Sequence, residues 1–146
     1  MLIGEYKHTI DDKNRLSLPA KFRKEMGKKV VIAPGLDQCL FIFTAKEWGV
    51  KARDLVTEDS ILHSDRRSFN RRMFGGAFET EVDSNGSILV PDFLRVRAKL
   101  ESKVAFIGGQ DRVEIWNDSL WDEYKAKVEV RAEELAEKLG AFGGNI

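Results

Sequence analysis

A chain of 146 residues with 42% hydrophobic side chains is long enough for one compact domain, or for two small halves that share a core. Its formal net charge is zero, yet residues 1–75 hold 15 Lys and Arg against 10 Asp and Glu, and residues 76–146 hold 9 against 14. The halves therefore carry +5 and −5, which suits either contact with an anionic polymer or head-to-tail self-association.

The composition argues against several classes of protein. There is no leader-like N-terminus and no apolar run near the roughly 18 residues of a membrane span, which predicts a cytoplasmic protein without membrane contact. Cys39 is the single cysteine, and with His8 and His63 it forms no recognisable zinc spacing. Since no paired carboxylates, activated nucleophile or nucleotide-binding glycine loop can be recognised, we expect no enzyme activity, no cofactor and no small-molecule substrate.

The first part of the sequence predicts a hairpin followed by a helix. Residues 6–10 alternate weakly between apolar and polar, the turn-forming cluster DDKN follows, and RLSL has the pattern of a short strand. Pro19 suits the first turn of a helix, in which Phe22 and Met26 share one face. Gly27 would end that helix.

Two strands and a helical linker are predicted next. The β-branched and aromatic runs 30–33 and 39–43 are separated by Pro34 and Gly35. Residues 50–75 have a helical pattern that contains four arginines: Arg66, Arg67, Arg71 and Arg72. This cluster is either a DNA-facing surface or a solvated helix face that pairs with acidic residues of a neighbouring repeat or subunit.

An internal repeat organises these elements. GEYKHTIDDKNRLSLPAKFR, from Gly4, aligns without a gap with GAFETEVDSNGSILVPDFLR, from Gly76, at an offset of 72 residues. Runs 104–107 and 113–116 then match the two strands of the first half. Neither half has enough strand to close a core alone, so we expect the repeats to interleave into one pseudo-symmetric α+β unit.

The repeat predicts four segments. These are a first repeat, a helical linker, a second repeat, and a charged amphipathic helix that ends at Gly140 before a flexible tail; their ranges are 5–47, 48–75, 76–119 and 120–146. Trp48 and Trp121 occupy equivalent places after the last strand of each repeat, which is typical of core or subunit-interface aromatics.

The motif D-D-K-N-R-L-S-L-P, residues 11–19, resembles the D-x-x-x-R element of the MraZ family of transcriptional regulators, in the AbrB-like group of swapped-hairpin proteins. The helix start P-A-K-F-R, the twofold repeat and the segment F-I-G-G-Q-D-R-V-E-I-W also fit that family. The resemblance implies two tandem AbrB-like swapped-hairpin repeats in one pseudo-twofold, β-barrel-like unit with flanking helices. It also implies a nucleoid-associated, ring-like homo-oligomer that binds direct repeats of double-stranded promoter DNA and regulates the division and cell-wall gene cluster.

The first-repeat motif contains the candidate DNA-contacting residues. Arg15, presented from a tight turn, would bond guanine O6 and N7 in the major groove, with Lys13 and Lys7 nearer the phosphates. Asp11 would orient Arg15 by accepting hydrogen bonds from backbone N–H groups or by pairing with the guanidinium. The alternative is a hairpin closed by a local Asp11–Arg15 ion pair with no role in DNA binding.

The second repeat departs from the family motif. Its equivalent residues are Asp83, Asn85 and Ser87, and Ser87, which stands where the resemblance leads us to expect arginine, offers only a hydroxyl. This argues against direct base recognition by the second repeat. Arg23 and Arg95, at matching places in the two repeats, are expected to form either structural salt bridges or phosphate contacts.

A rival interpretation is an antitoxin-like or scaffold protein that shares the fold. Its main role would be protein–protein interaction through the acidic second half.

Overall fold

Each repeat contributes four strands and a short helix, as shown by the computed structural model, which describes residues 1–140. The first repeat consists of β1 (Glu5–Thr9), β2 (Arg15–Ser17), α1 (Ala20–Met26), β3 (Lys29–Pro34) and β4 (Leu40–Thr44). The linker consists of α2 (Ala45–Leu55), a 3₁₀ turn (Ser60–Leu62) and α3 (Ser64–Gly75). The second repeat consists of β5 (Phe78–Glu81), β6 (Ser87–Leu89), α4 (Asp92–Arg97), β7 (Lys103–Gly108) and β8 (Val113–Asn117), and α5 (Asp118–Leu139) follows it.

The strands pair mainly between repeats. β1 pairs with β7, β2 with β6 and β3 with β5, all antiparallel. The result is a six-stranded sheet in the order β1-β7-β8-β4-β3-β5 and a separate two-stranded sheet of β2 and β6, so the described residues form no closed barrel. Within the first repeat, the hairpin predicted from local sequence is reduced to a single bridge between Ile10 and Leu16. The two-repeat, swapped-hairpin α+β fold is confirmed.

The pairing of β2 with β6 places equivalent residues of the two repeats in one core. Leu16 lies opposite Ile88, and these two residues are related by the offset of 72 found in the sequence. Both are fully buried, as are two further equivalent pairs: Leu18 with Val90 and Phe22 with Leu94. Because each buried aliphatic or aromatic side chain contributes roughly 1.5–3 kcal/mol, one repeat alone would leave half of this core in water.

The helices begin and end for local reasons. Pro19 lies immediately before α1 as its N-terminal cap, one residue earlier than the first-turn position predicted, and Gly27 ends the helix with a φ of 74°. The helical pattern of residues 50–75 resolves into α2 and α3. α2 starts at Ala45 because the Thr44 hydroxyl accepts a hydrogen bond from the Glu47 N–H at 3.1 Å.

The C-terminal helix α5 ends at Gly140, which has a φ of 59°, as predicted. The tail expected after it lies outside the described residues. Among residues 1–140, no helix has both the length and the apolar character that a transmembrane segment requires.

Candidate nucleic-acid interface

The turn between β1 and β2 is fixed by the carboxylate of Asp11. Its Oδ1 accepts hydrogen bonds from the backbone N–H groups of Lys13 at 2.8 Å and Arg15 at 2.9 Å. Asn14 has a φ of 63°, a left-handed conformation that asparagine tolerates better than most residues. Of the two contacts predicted for Asp11, the structure shows the one with backbone N–H groups, including that of Arg15; the orienting role of Asp11 stays a prediction.

The turn between β5 and β6 has the same geometry. Oδ1 of Asp83 accepts hydrogen bonds from the N–H groups of Asn85 and Ser87, both at 2.9 Å. Gly86, with a φ of 77°, occupies the left-handed position that corresponds to Asn14. The second turn therefore has the same backbone conformation as the first. It differs in its side chains, since Asn85 and Ser87 stand where the first turn has Lys13 and Arg15.

β2 and β6 form a two-stranded ribbon with one outward face. Arg15 lies opposite Leu89 and Ser17 lies opposite Ser87, and since side chains alternate along a strand these four share a face. None of the four is buried, and the Ser17 and Ser87 hydroxyl oxygens are 3.2 Å apart. The ribbon thus presents two hydroxyls, the Leu89 side chain and, at one corner, Arg15.

The guanidinium of Arg15 has an acidic neighbour from the other repeat. Nη1 of Arg15 lies 3.8 Å from Oδ2 of Asp83, and the two side chains remain 46% and 37% exposed. An ion pair this exposed contributes about 0–1 kcal/mol, so Arg15 can exchange it for a stronger acceptor. The local Asp11–Arg15 ion pair considered from the sequence is replaced by this contact between repeats.

Each turn is also braced by an arginine of the opposite repeat. Nη1 of Arg95 donates to the Asp11 carbonyl at 3.0 Å and to the Asn14 side-chain oxygen at 2.7 Å. Arg23 lies against the second turn, where a Cβ on Gly86 would come within 2.6 Å of its guanidinium carbon. Both arginines also donate to carbonyl oxygens near their own helices, so they act here as structural hydrogen-bond donors.

The repeated turns and exchanged strands agree with what a family comparison finds. The family model described as "MraZ protein, putative antitoxin-like" matches the chain twice, over residues 1–72 and 73–141. The chain belongs to the MraZ family.

Relatives in this family match over nearly the whole chain. The transcriptional regulator MraZ of Caldanaerobacter subterraneus subsp. tengcongensis is 47% identical over 142 residues, which is 97% of this chain and 99% of the relative. The transcriptional regulator MraZ of Thermoanaerobacter sp. (strain X514) is 47% identical over 95% of this chain and 96% of the relative. That of Carboxydothermus hydrogenoformans is 43% identical over 97% of this chain and 99% of the relative.

The lysines predicted from the MraZ motif lie in different surroundings. Lys13 is exposed on the first turn, beside Arg15. The Lys7 ammonium, in contrast, contacts the carboxylates of Asp118 and Asp122 at the start of α5, the second at 3.1 Å. Desolvation would lower the pKa of Lys7, but these two carboxylates outweigh it and raise that pKa. The structure therefore does not bring Lys7 together with Lys13 and Arg15.

The arginines of α3 divide into two kinds. Nη1 of Arg67 donates to the Ile61 carbonyl at 2.7 Å, and Nη2 of Arg72 donates to the Gly35 carbonyl at 2.6 Å. Arg66 and Arg71 are exposed. None of the four forms an ion pair with a carboxylate of residues 1–140, so they contribute an uncompensated positive surface.

Possible metal-ligating side chains are not grouped in the part of the chain that the structure describes. No cluster of three or more His, Cys, Asp or Glu side chains that could hold a metal ion occurs within residues 1–140. Cys39 is buried, its thiol donates to the Leu36 carbonyl at 3.1 Å, and burial raises its pKa to about 12. Such a thiol stays protonated at neutral pH and is a poor nucleophile.

Proposed function

We propose that this chain is a sequence-specific, DNA-binding transcriptional regulator that acts on repeated promoter elements of the division and cell-wall gene cluster. The MraZ relatives that it matches are named transcriptional regulators. The observation that carries the proposal is the position of Arg15, which is exposed at the start of β2 on a backbone held by Asp11. A regulator of this kind works on the nucleoid, within the cytoplasm.

The β2–β6 ribbon, as a two-stranded element, is of the kind that enters the major groove. The major groove of B-DNA is about 12 Å wide and admits a two-stranded ribbon. Arg15 would donate two hydrogen bonds to O6 and N7 of one guanine, and Lys13 would contact a neighbouring phosphate. Because Asp11 fixes the backbone of Arg15 in advance, little conformational entropy remains to be lost on binding.

The second turn would contribute less than the first to base recognition. The amide of Asn85 can pair with adenine, whereas the Ser87 hydroxyl discriminates weakly among bases. The carboxylate of Asp83 repels phosphate and attracts Arg15. The second repeat would thus support the reader and contribute less base recognition. Lys7 would reach a phosphate only by exchanging its two carboxylate partners on α5.

Specificity in this scheme requires several copies of the chain. A bidentate arginine–guanine contact discriminates by about 1–3 kcal/mol, which is too little to select a promoter from a genome. A homo-oligomer, in our proposal a ring, would place several Arg15 side chains on successive direct repeats, and the second contact would then be intramolecular.

An antitoxin-like or scaffold role is the second candidate. The description of the matching family model includes the words "antitoxin-like". In this chain the acidic second half, with a net charge of −5, would bind a basic protein and DNA binding would be incidental.

Fluorescence anisotropy distinguishes the two candidates. The full chain is titrated, at several salt concentrations, into a labelled duplex with direct repeats from upstream of its own gene and into a shuffled duplex. Arg15→Ala is compared with Arg53→Ala, which removes the same charge from an exposed site on α2. We expect salt-dependent preference for the repeats, abolished by Arg15→Ala and retained by Arg53→Ala.

Two results would overturn the regulator proposal. One is equal binding to both duplexes. The other is an identical loss of DNA affinity for both arginine variants, which would indicate that binding depends on net charge and not on the ribbon. Either result moves the protein-partner candidate to first place.

A further inference from the structure

The two turns of the ribbon differ in one pair of side chains. Nδ2 of Asn14 donates a hydrogen bond at 2.6 Å to Oδ1 of Asp92, at the start of α4. The positions related to these two by the 72-residue offset are Gly86 and Ala20, and neither has a polar side chain. The bond between Asn14 and Asp92 therefore belongs to the turn that carries Arg15 and has no counterpart at the other turn.

The amide of Asn14 is held at both of its ends. Its Oδ1 accepts a hydrogen bond from Nη1 of Arg95 at 2.7 Å, while its nitrogen donates to Asp92. The same Nη1 donates to the Asp11 carbonyl at 3.0 Å, and Nε of Arg95 donates to the Leu100 carbonyl at 3.3 Å, just beyond α4. Three hydrogen bonds thus join α4, from the second repeat, to the first turn, and we call them the α4 clamp.

The peptide bond beside the clamp is fixed in the same way in both turns. Its carbonyl accepts a hydrogen bond of 2.9 Å from the other repeat, from Val90 to Asn14 in the first turn and from Leu18 to Gly86 in the second. Its N–H donates to the carboxylate of the aspartate four positions earlier. The two turns thus have equal backbone support, and the clamp is an addition made by side chains.

The clamp is found at the turn that has the stronger base-reading side chain. The clamped turn carries Arg15, whereas the other turn carries Ser87, whose hydroxyl discriminates weakly among bases. A guanidinium that bonds two atoms of one guanine must approach in a fixed direction. Restraint of the turn before binding lowers the conformational entropy that is lost when this contact forms.

We propose that the α4 clamp positions Arg15 for base recognition, so that Asn14 and Asp92 are positioning residues for DNA specificity. The inference rests on the proposed function, because it requires that Arg15 contacts a base. It adds a role for the second repeat, which contributes to specificity through α4 although its own turn lacks the arginine.

Two substitutions of Asp92 separate the clamp from electrostatics. Asp92→Asn and Asp92→Ala both remove one negative charge, but only Asp92→Asn retains an oxygen that can accept a hydrogen bond from Asn14. Loss of the charge alone would strengthen the attraction for DNA equally in both variants. In the anisotropy assay with the full chain, we expect Asp92→Asn to bind the direct-repeat duplex at least as tightly as wild type, and Asp92→Ala to bind it about fivefold more weakly.

Asn14→Gly removes the side chain on which the clamp depends. Glycine readily adopts the left-handed conformation, so the turn backbone is kept while two of the three clamp bonds are lost. We expect the preference for the direct repeats over the shuffled duplex to fall about fivefold. The slope of log Kd against log salt concentration should stay unchanged, because no phosphate contact is removed. Circular dichroism and urea denaturation report whether each variant is folded.

A double-mutant cycle with Arg15→Ala tests whether the clamp acts through Arg15. If it does, Asn14→Gly weakens binding to the direct repeats in the wild-type background and has no further effect in the Arg15→Ala background. A purely structural role would weaken binding equally in both backgrounds, and that result would overturn the proposal.

The proposal also fails if folded Asp92→Ala and Asp92→Asn bind alike, or if Asn14→Gly keeps the wild-type preference. The proposed function would stand in both cases, provided that the wild type prefers the repeats and Arg15→Ala does not. Should Asp92→Ala fail to fold, Asn14→Gly and its cycle with Arg15→Ala decide the outcome. A wild type without preference, or one whose preference survives Arg15→Ala, would overturn the reading role of Arg15 and the clamp with it.

Discussion

The guanidinium of Arg15, in the first repeat, lies 3.8 Å from the carboxylate of Asp83, in the second. Asp83 uses its other oxygen, Oδ1, to cap its own turn, so one side chain both shapes the second turn and attracts the arginine of the first. Arg15 is therefore held by a weak contact, which DNA would have to replace if Arg15 binds a base as we propose.

Asp83→Asn is predicted to tighten DNA binding. The asparagine oxygen can still accept the two turn hydrogen bonds, while the charge that holds Arg15 and repels phosphate is removed. Since an exposed pair of this kind is worth at most about 1 kcal/mol, we expect up to roughly a fivefold decrease in Kd. Asp54→Asn, an exposed position on α2, controls for net charge in the same anisotropy assay. An unchanged Kd for Asp83→Asn would show that the pair does not compete with DNA.

Asp11→Ala is predicted to weaken both the fold and DNA binding. It removes the acceptor for the N–H groups of Lys13 and Arg15, and an exposed loss of this size lowers the free energy of unfolding by about 1 kcal/mol. We expect the free energy of DNA binding to fall by more than the free energy of unfolding, because Arg15 loses its fixed direction. Asp11→Asn retains an acceptor and should lie close to wild type in urea denaturation. A destabilised Asp11→Ala with wild-type DNA affinity would contradict the orienting role.

Local sequence chemistry predicted those parts of the fold that depend on near neighbours. The turn at Asp11 and the end of α1 at Gly27 follow from hydrogen bonds and backbone conformations within a few residues. The 72-residue repeat predicted a shared core because equivalent apolar residues must be buried together. The repeat also predicted that the two halves interleave, but the swapped-hairpin form of that exchange came from the family resemblance, since local patterns favoured a hairpin of β1 with β2.

The contacts that sequence reasoning missed join residues far apart in the chain. Asn14 and Arg95 are separated by 81 positions, and nothing in their local patterns pairs them. The signal that could have found such contacts was the repeat itself. If β2 and β6 pair about Leu16 and Ile88, each turn must approach the helix of the opposite repeat.

Gly86→Ala is predicted to destabilise the second turn for two reasons. A left-handed backbone costs a residue with a Cβ about 1–2 kcal/mol, and the new methyl would displace the guanidinium of Arg23, which donates to the Leu18 carbonyl at 2.9 Å. The second effect is isolated by a double-mutant cycle with Arg23→Ala. In urea denaturation, Gly86→Ala should cost about 1 kcal/mol less when Arg23 is already alanine. Equal costs in both backgrounds would show that Arg23 moves aside freely.

Asp111 is predicted to make stability depend on acidic pH. Its Oδ2 lies 2.6 Å from the Lys51 ammonium of α2, and its Oδ1 lies 2.9 Å from the Arg112 guanidinium. Burial alone would raise the pKa of this carboxyl, but the two cations outweigh burial and hold the pKa below its ordinary value of 3.8.

The sign of this pH effect follows from linkage. A carboxyl whose pKa is lowered by folding stabilises the protein above its unfolded pKa, and that contribution is lost as the pH falls through 3.8 towards the lower folded value. Because Asp111 is 35% exposed, we expect a contribution below about 1 kcal/mol. Urea denaturation between neutral pH and the start of acid unfolding should show a shallower loss of stability for Asp111→Asn than for wild type. Parallel curves would mean that the Lys51–Asp111 pair does not link α2 to the second repeat in solution.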